Sequence, residues 1–190
     1  MQTQVEEKVV EEVKAWSKHA LETPNPYFNN LPACPYAQKA WAEDKVGFVF
    51  NYGPSMEKLC EVLRSFDDDK DLILVVDFLF DENVETFDAY FELLNNAIAE
   101  GAFFDRDLWV MGFHPHDEDN EFIDGEFFEP LTDKEYALIF VQRLSKLHEH
   151  AEKIKEKGYY TSYEDGHDAS RIYQQRVNLY RRLKNGDETS

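Results

Sequence analysis

The chain has 190 residues, 43% of them hydrophobic and 15% aromatic, which is enough apolar material for a buried core and argues against disorder. Its 39 acidic against 20 basic residues leave a formal charge of −19, so no basic stripe is available to release counterions from phosphates or anionic lipids, and neither nucleic acid nor membrane is expected as a partner. Two cysteines are too few for a secreted disulfide framework, no apolar run approaches the ~20 residues of a membrane helix, and "MQTQVEEKVVEE" lacks the pattern of a leader, so the chain reads as cytoplasmic.

Thr3 and Glu6 have capping-box spacing, and Val5, Val9, Val13, Trp16 and Ala20 recur at helical intervals, which predicts an amphipathic helix ending before "ETPNP". The proline- and asparagine-rich stretch that follows breaks regular structure. Pro35 suits the first residue of a short helix reaching about Trp41, with Cys34 at its N-cap.

An alternation then sets the fold class. "KVGFVFNY" reads as strand, "PSMEKLCEVLRSF" as helix, "DLILVVDFLF" as strand, "NVETFDAYFELLNNAIAE" as helix and "DLWVMGF" as strand. The middle strand is apolar on both faces, as expected when helices cover both sides of a parallel sheet. Met56, Leu59, Cys60, Leu63 and Phe66 form one helical face, and Val84, Phe87, Phe91, Leu94 and Ile98 another, with Gly101 placed to stop the second helix. Thr132 and Glu135 repeat the capping-box spacing and predict a long helix through Tyr136, Ile139, Phe140, Leu144, Leu147 and Ile154, stopped by Gly158. A final helix spans roughly 169–183, where Ile172, Tyr173, Leu179, Tyr180 and Leu183 are mixed with arginines, a pattern suited to loose packing or to a partner. The expected fold is an α/β domain over residues 1–158, a short, mainly parallel sheet with a βαβαβ core flanked by helices, and a helical extension over 159–190 packed on or beside it.

In open parallel sheets ligands bind outside the carboxyl ends of the strands, and His114 emerges at such an end. "FHPHDEDNE" offers imidazoles at His114 and His116 and carboxylates at Asp117, Glu118 and Asp119, ligand types that zinc, iron or copper accept; a solvated acidic loop has the same composition. A cysteine at a helix start has its thiolate favoured by free amides and the helix dipole, which would make Cys34 a nucleophile or a metal ligand; a cysteine filling space beside Pro35 and Tyr36 is the alternative. If Cys34 and His114 converge, they provide thiolate and imidazole for covalent catalysis or metal binding. Asp77, inside an apolar strand, needs a partner or a place at the strand end. His148 and His150 lie two apart on a helix and read as surface residues. The glycine-rich phosphate loops of dinucleotide and nucleoside-triphosphate sites and the serine-hydrolase elbow are all missing.

The order of "LPACPYAQKA", "LILVVDFLFDENVETFDAYFELLNNAI" and "VMGFHPHDEDNEF" resembles an uncharacterised bacterial family known as domain of unknown function 1415 over roughly the first 145 residues. Cys34, Pro35, Ala37, Phe113, His114 and Pro115 match its cysteine-proline and phenylalanine-histidine-proline motifs, and Arg143 falls at its arginine position. The chain departs from it at Phe140, where the family has histidine, and at Pro32, where it has asparagine. The resemblance implies a pairing of Cys34 with His114 and supplies no reaction.

Two functions of different class are compatible with these residues. One is a small-molecule enzyme, metal-assisted or redox-active, with Cys34 as thiolate ligand or nucleophile, His114 as ligand or general base, His116 as auxiliary ligand and Arg143 as clamp for an anionic substrate. The other is a non-catalytic interaction protein, whose acidic surface and final helix "RIYQQRVNLYRRL" bind a basic protein partner.

Overall fold

The computed structural model describes residues 2–54, 56–117, 131–160 and 168–187. In chain order the elements are α1 (Gln2–Trp16), β1 (Pro24–Asn25), β2 (Leu31–Pro32), α2 (Ala37–Ala42), β3 (Val46–Asn51), α3 (Glu57–Arg64), β4 (Leu72–Asp77), α4 (Val84–Ala99), β5 (Leu108–Phe113), β6 (Ala137–Arg143), α5 (Leu144–Lys155) and α6 (Asp168–Asp187). A π-helical turn, Ser17–Leu21, continues α1. Trp41 donates its indole N–H to Ser17 Oγ at 2.8 Å, which ties α2 to that turn.

The sheet is mixed, with strand order β3-β4-β6-β5. β3, β4 and β5 run in one direction, as the alternation predicts, but only β3 and β4 are parallel neighbours. β6 lies antiparallel between β4 and β5 and pairs with both, so the expected mainly parallel βαβαβ sheet is corrected to a four-stranded mixed one. The expected long helix over 132–158 is corrected with it. Ala137 to Val141 are all buried, a strand covered on both faces, and the helix starts only at Leu144. Thr132 accepts from the Lys134 amide at 3.2 Å in a local turn instead of capping a helix. Gly101 and Gly158 do end their helices, at φ 86° and 79°, where a side chain would be strained.

Strand alternation divides the core into two layers. Ile73, Val75, Val110, Ile139 and Val141 pack on one side against Leu59 and Leu63 of α3 and Phe87, Phe91 and Ile98 of α4. Leu74, Val76, Leu138 and Phe140 pack on the other against Val9 and Val13 of α1, with Trp41 of α2 alongside. A third cluster joins Ala99, Trp109 and Leu144 to Leu179 of α6. β5 is an edge strand, and the buried Asn95 side chain closes it as a partner strand would, donating to Val110 O at 2.7 Å and accepting from Val110 N at 2.9 Å. β5 passes close against α4 at Gly112, where a Cβ would lie 2.5 Å from Phe91 Cε2 and 2.8 Å from Phe87 Cζ.

Candidate functional site

Three strands end at one edge of the sheet. Asn51 closes β3, Asp77 closes β4 in register with it, and His114 follows the last residue of β5. β6 begins at the same edge, with Ala137 opposite Asp77. Asp77 is 1% exposed and Asn51 4%, so each needs an internal partner. Asn51 Nδ2 donates to Asp77 Oδ1 at 2.9 Å, and the Leu79 amide donates to the same oxygen at 3.0 Å. The expectation for Asp77 is met on both counts, a strand end and a partner. The pair clamps the two loops that leave β3 and β4.

His114 is 7% exposed. Its Nε2 lies 2.8 Å from Asp81 O, and its Nδ1 accepts the His116 amide at 3.0 Å. A carbonyl only accepts and an amide only donates, so the ring is held as the tautomer protonated on Nε2. Phe80 and Phe87 stand edge-on to it with centroids at 5.0 and 5.1 Å. Both ring nitrogens are therefore engaged by backbone, and the lone pair a base or metal ligand would use faces an amide. His116 is exposed, and its Nε2 lies 3.4 Å from Glu135 Oε2.

Glu12 and Tyr136 complete this edge, and the sequence reading missed both. Glu12 is 3% exposed and accepts from the amides of Leu131 at 2.6 Å and Thr132 at 3.1 Å and from the Tyr136 hydroxyl at 2.6 Å. Burial, then the hydrogen bond to Glu12 and its charge, push the Tyr136 phenol well above its ordinary value. The signal available was position: Glu12 falls on the same helical face as Val9, Val13 and Trp16, where an acid must be satisfied internally. Lys134 sits over the stacked rings of Tyr52 and Phe78, 6.0 and 5.6 Å from their centroids.

Cys34 stands elsewhere. Its amide donates to Leu21 O at 2.8 Å, and its thiol receives the backbone amides of Tyr36 and Ala37, so the local amide environment predicted for it exists, although Tyr36 and not Cys34 is the helix cap. The predicted thiolate does not follow. Burial, joined by the Glu22 charge, pushes the thiol up despite those amides and the Arg176 guanidinium. The neighbours of Cys34, Ala33 and Tyr36, pack in a separate cluster with Phe28, Ile154 and Tyr159, whereas the His114 ring packs on Phe80 and Phe87.

Arg143 is at the opposite edge, in register with Leu108, the first residue of β5. It forms ion pairs with Asp68 and Asp105, and its guanidinium carbon lies 4.7 Å from the Phe66 ring centroid. Its anion-binding capacity is taken up by the chain's own carboxylates. His148 and His150, expected at the surface, are half-buried. His150 stacks on Tyr36 with centroids 3.7 Å apart, and His148 on Tyr180 at 4.1 Å. The structure thus brings His114 and His116 together, 5.3 Å between centroids, and holds Cys34 and Arg143 at two other places. Among the described residues no group of three or more His, Cys, Asp or Glu side chains is arranged to hold a metal; Glu118 and Asp119 lie outside them. No helix among them is long and apolar enough to cross a membrane.

No family model matches the chain, and no curated protein or solved structure shows significant similarity to it.

Proposed function

We propose that the chain is a non-catalytic interaction module that takes a basic, helical protein segment. The observation that carries this reading is the seating of α6, which has five arginines and lysines against two aspartates in a chain of net charge −19. Arg182 of α6 lies 3.5 Å from Glu100 and donates to Asn96 Oδ1 at 3.0 Å, while Tyr173 bonds to Glu152. The acidic body therefore already holds one cationic amphipathic helix in cis, and a partner helix of the same chemistry has the same complementarity. Favouring it over the small-molecule enzyme is the internal engagement of the candidate catalytic groups: His114 by two backbone partners, Arg143 by two carboxylates, Cys34 by burial.

The test is titration of the full chain with a synthetic peptide of residues 171–184, RIYQQRVNLYRRLK, against the same peptide with its five cations replaced by glutamate. Saturable binding of the basic peptide alone, weakened on raising salt to about 0.5 M, is expected. Equal binding of both peptides, or of neither, ends the proposal.

A further inference from the structure

Among the described residues three buried side-chain polar atoms have no hydrogen-bond partner: Trp109 Nε1, His148 Nδ1 and Arg176 Nε. Two of them face α6 and the third is carried by it. Arg176 belongs to α6, the His148 ring is stacked on Tyr180 of α6, and Trp109, 4% exposed, packs with Leu179 of α6. Arg176 hydrogen-bonds Tyr160 through its guanidinium, but buried polar groups ordinarily find partners, so the two failures beneath α6, at Trp109 and His148, mean that α6 covers its seat without matching it. A groove of about 460 Å³ runs along α5 beside α6, lined by Glu149, Glu152 and Glu156, by Lys146 and Lys153, and by Tyr180.

We infer that this seat is the module's helix-binding surface and that α6 is a replaceable occupant of it, exchanged for a basic amphipathic helix of the partner. The inference rests on the acidic-module reading and names its surface. The floor, Ala99, Trp109, Leu144 and Leu147, is apolar and takes a hydrophobic stripe. At its margin Glu100 takes Arg182, and along α5 Glu152 and Glu156 remain for cations, Glu149 being paired with Lys153. A partner helix that brings an acceptor over Trp109 makes the bond that α6 leaves unmade.

Two measurements on the full chain test it. Amide hydrogen exchange is expected to show α6 opening on its own, with its amides exchanging about 100-fold or more faster than those of β4 and β6. Stopped-flow mixing with fluorescent peptide 171–184 is expected to give an observed rate that saturates at the opening rate of α6. The variant His148→Phe keeps the ring on Tyr180 and removes the orphaned nitrogen, and it is expected to slow both processes several-fold together. Exchange of α6 as slow as that of β4 overturns the inference. So does a binding rate linear in peptide and unmoved by His148→Phe, which would put the peptide elsewhere on the acidic surface and leave the module reading standing. Absence of any binding ends both.

Discussion

Replacing Gly112 with alanine adds one methyl group where β5 crosses α4. The new Cβ would sit 2.5 Å from Phe91 Cε2 and 2.8 Å from Phe87 Cζ, well inside van der Waals contact. Both rings are buried, so neither has a free end to swing away. Overpacking costs about 1–3 kcal/mol, and two buried rings this far inside contact distance place it at the upper end, about 2–3 kcal/mol; the loss of glycine's freedom in the unfolded chain returns about 1 kcal/mol, which leaves a net destabilisation of about 1–2 kcal/mol. For a chain of this size each kcal/mol moves the thermal midpoint by about 2–4 °C, so the drop should be about 2–8 °C by far-ultraviolet circular dichroism. Because Phe87 also packs on His114, the His114 ring signals should shift in the NMR spectrum of the variant. Adding Phe87→Leu should recover part of the loss, so that the double variant is more stable than the sum of the singles predicts. An unchanged midpoint, or strict additivity, would refute the packing argument.

Alkylation of Cys34 in the native chain should follow a pH profile whose midpoint lies above the ordinary thiol value, and His114→Ala should leave it unmoved; a midpoint below that value, or one that shifts in the variant, contradicts the placement of the two residues. Burial, then the Lys153 charge, lowers the affinity of His150 for a proton below that of a free histidine, so the unfolded chain binds the proton more readily and stability is fully present above about pH 6.5, falling as the pH drops below it. His150→Phe, which retains the stack on Tyr36, should flatten the dependence of the urea midpoint on pH between about 7.5 and 5.5, and an unaltered slope would count against this assignment. Arg143→Lys keeps the charge but loses the fork that reaches two carboxylates, and should cost about 1–2 kcal/mol in urea unfolding at constant slope; wild-type stability would mean the pairs contribute nothing.

The strands and helices from Val46 to Phe113 were legible because each announces itself locally: Met56, Leu59 and Leu63 repeat at helical spacing, and "LILVV" is too short and too apolar for anything but a covered strand. β6 was not. Tyr136, Ile139, Phe140, Leu144 and Leu147 satisfy a helical period by accident, while five consecutive buried residues from Ala137 satisfy a strand covered on both sides, and only the unfilled place between β4 and β5 decides between them. Periodicity ranks faces of an element; it does not see the gap an element has to fill. The same limit applies to the site. That His114 leaves a strand at the edge where β3 and β4 also end could be read from "VMGFHP", but its partners, Asp81 O and the His116 amide, are backbone atoms with no residue signature. The amides around the Cys34 thiol are local and were foreseen, whereas the burial that overrides them comes from chain more than a hundred residues away, as the Tyr159 hydroxyl on Ala33 O at 2.6 Å shows.

The insertion of β6 between two strands made before it sets an order on events at the ribosome. β3 and β4 can join as soon as both have emerged, but β5 comes out with no neighbour, because the strand it needs lies 24 residues further on, counted from Phe113 to Ala137. Until that strand is translated the nascent sheet has an open slot on the exposed flank of β4, with Leu74 and Val76 unsheltered beside it, and this is the interval in which a holdase would find the chain.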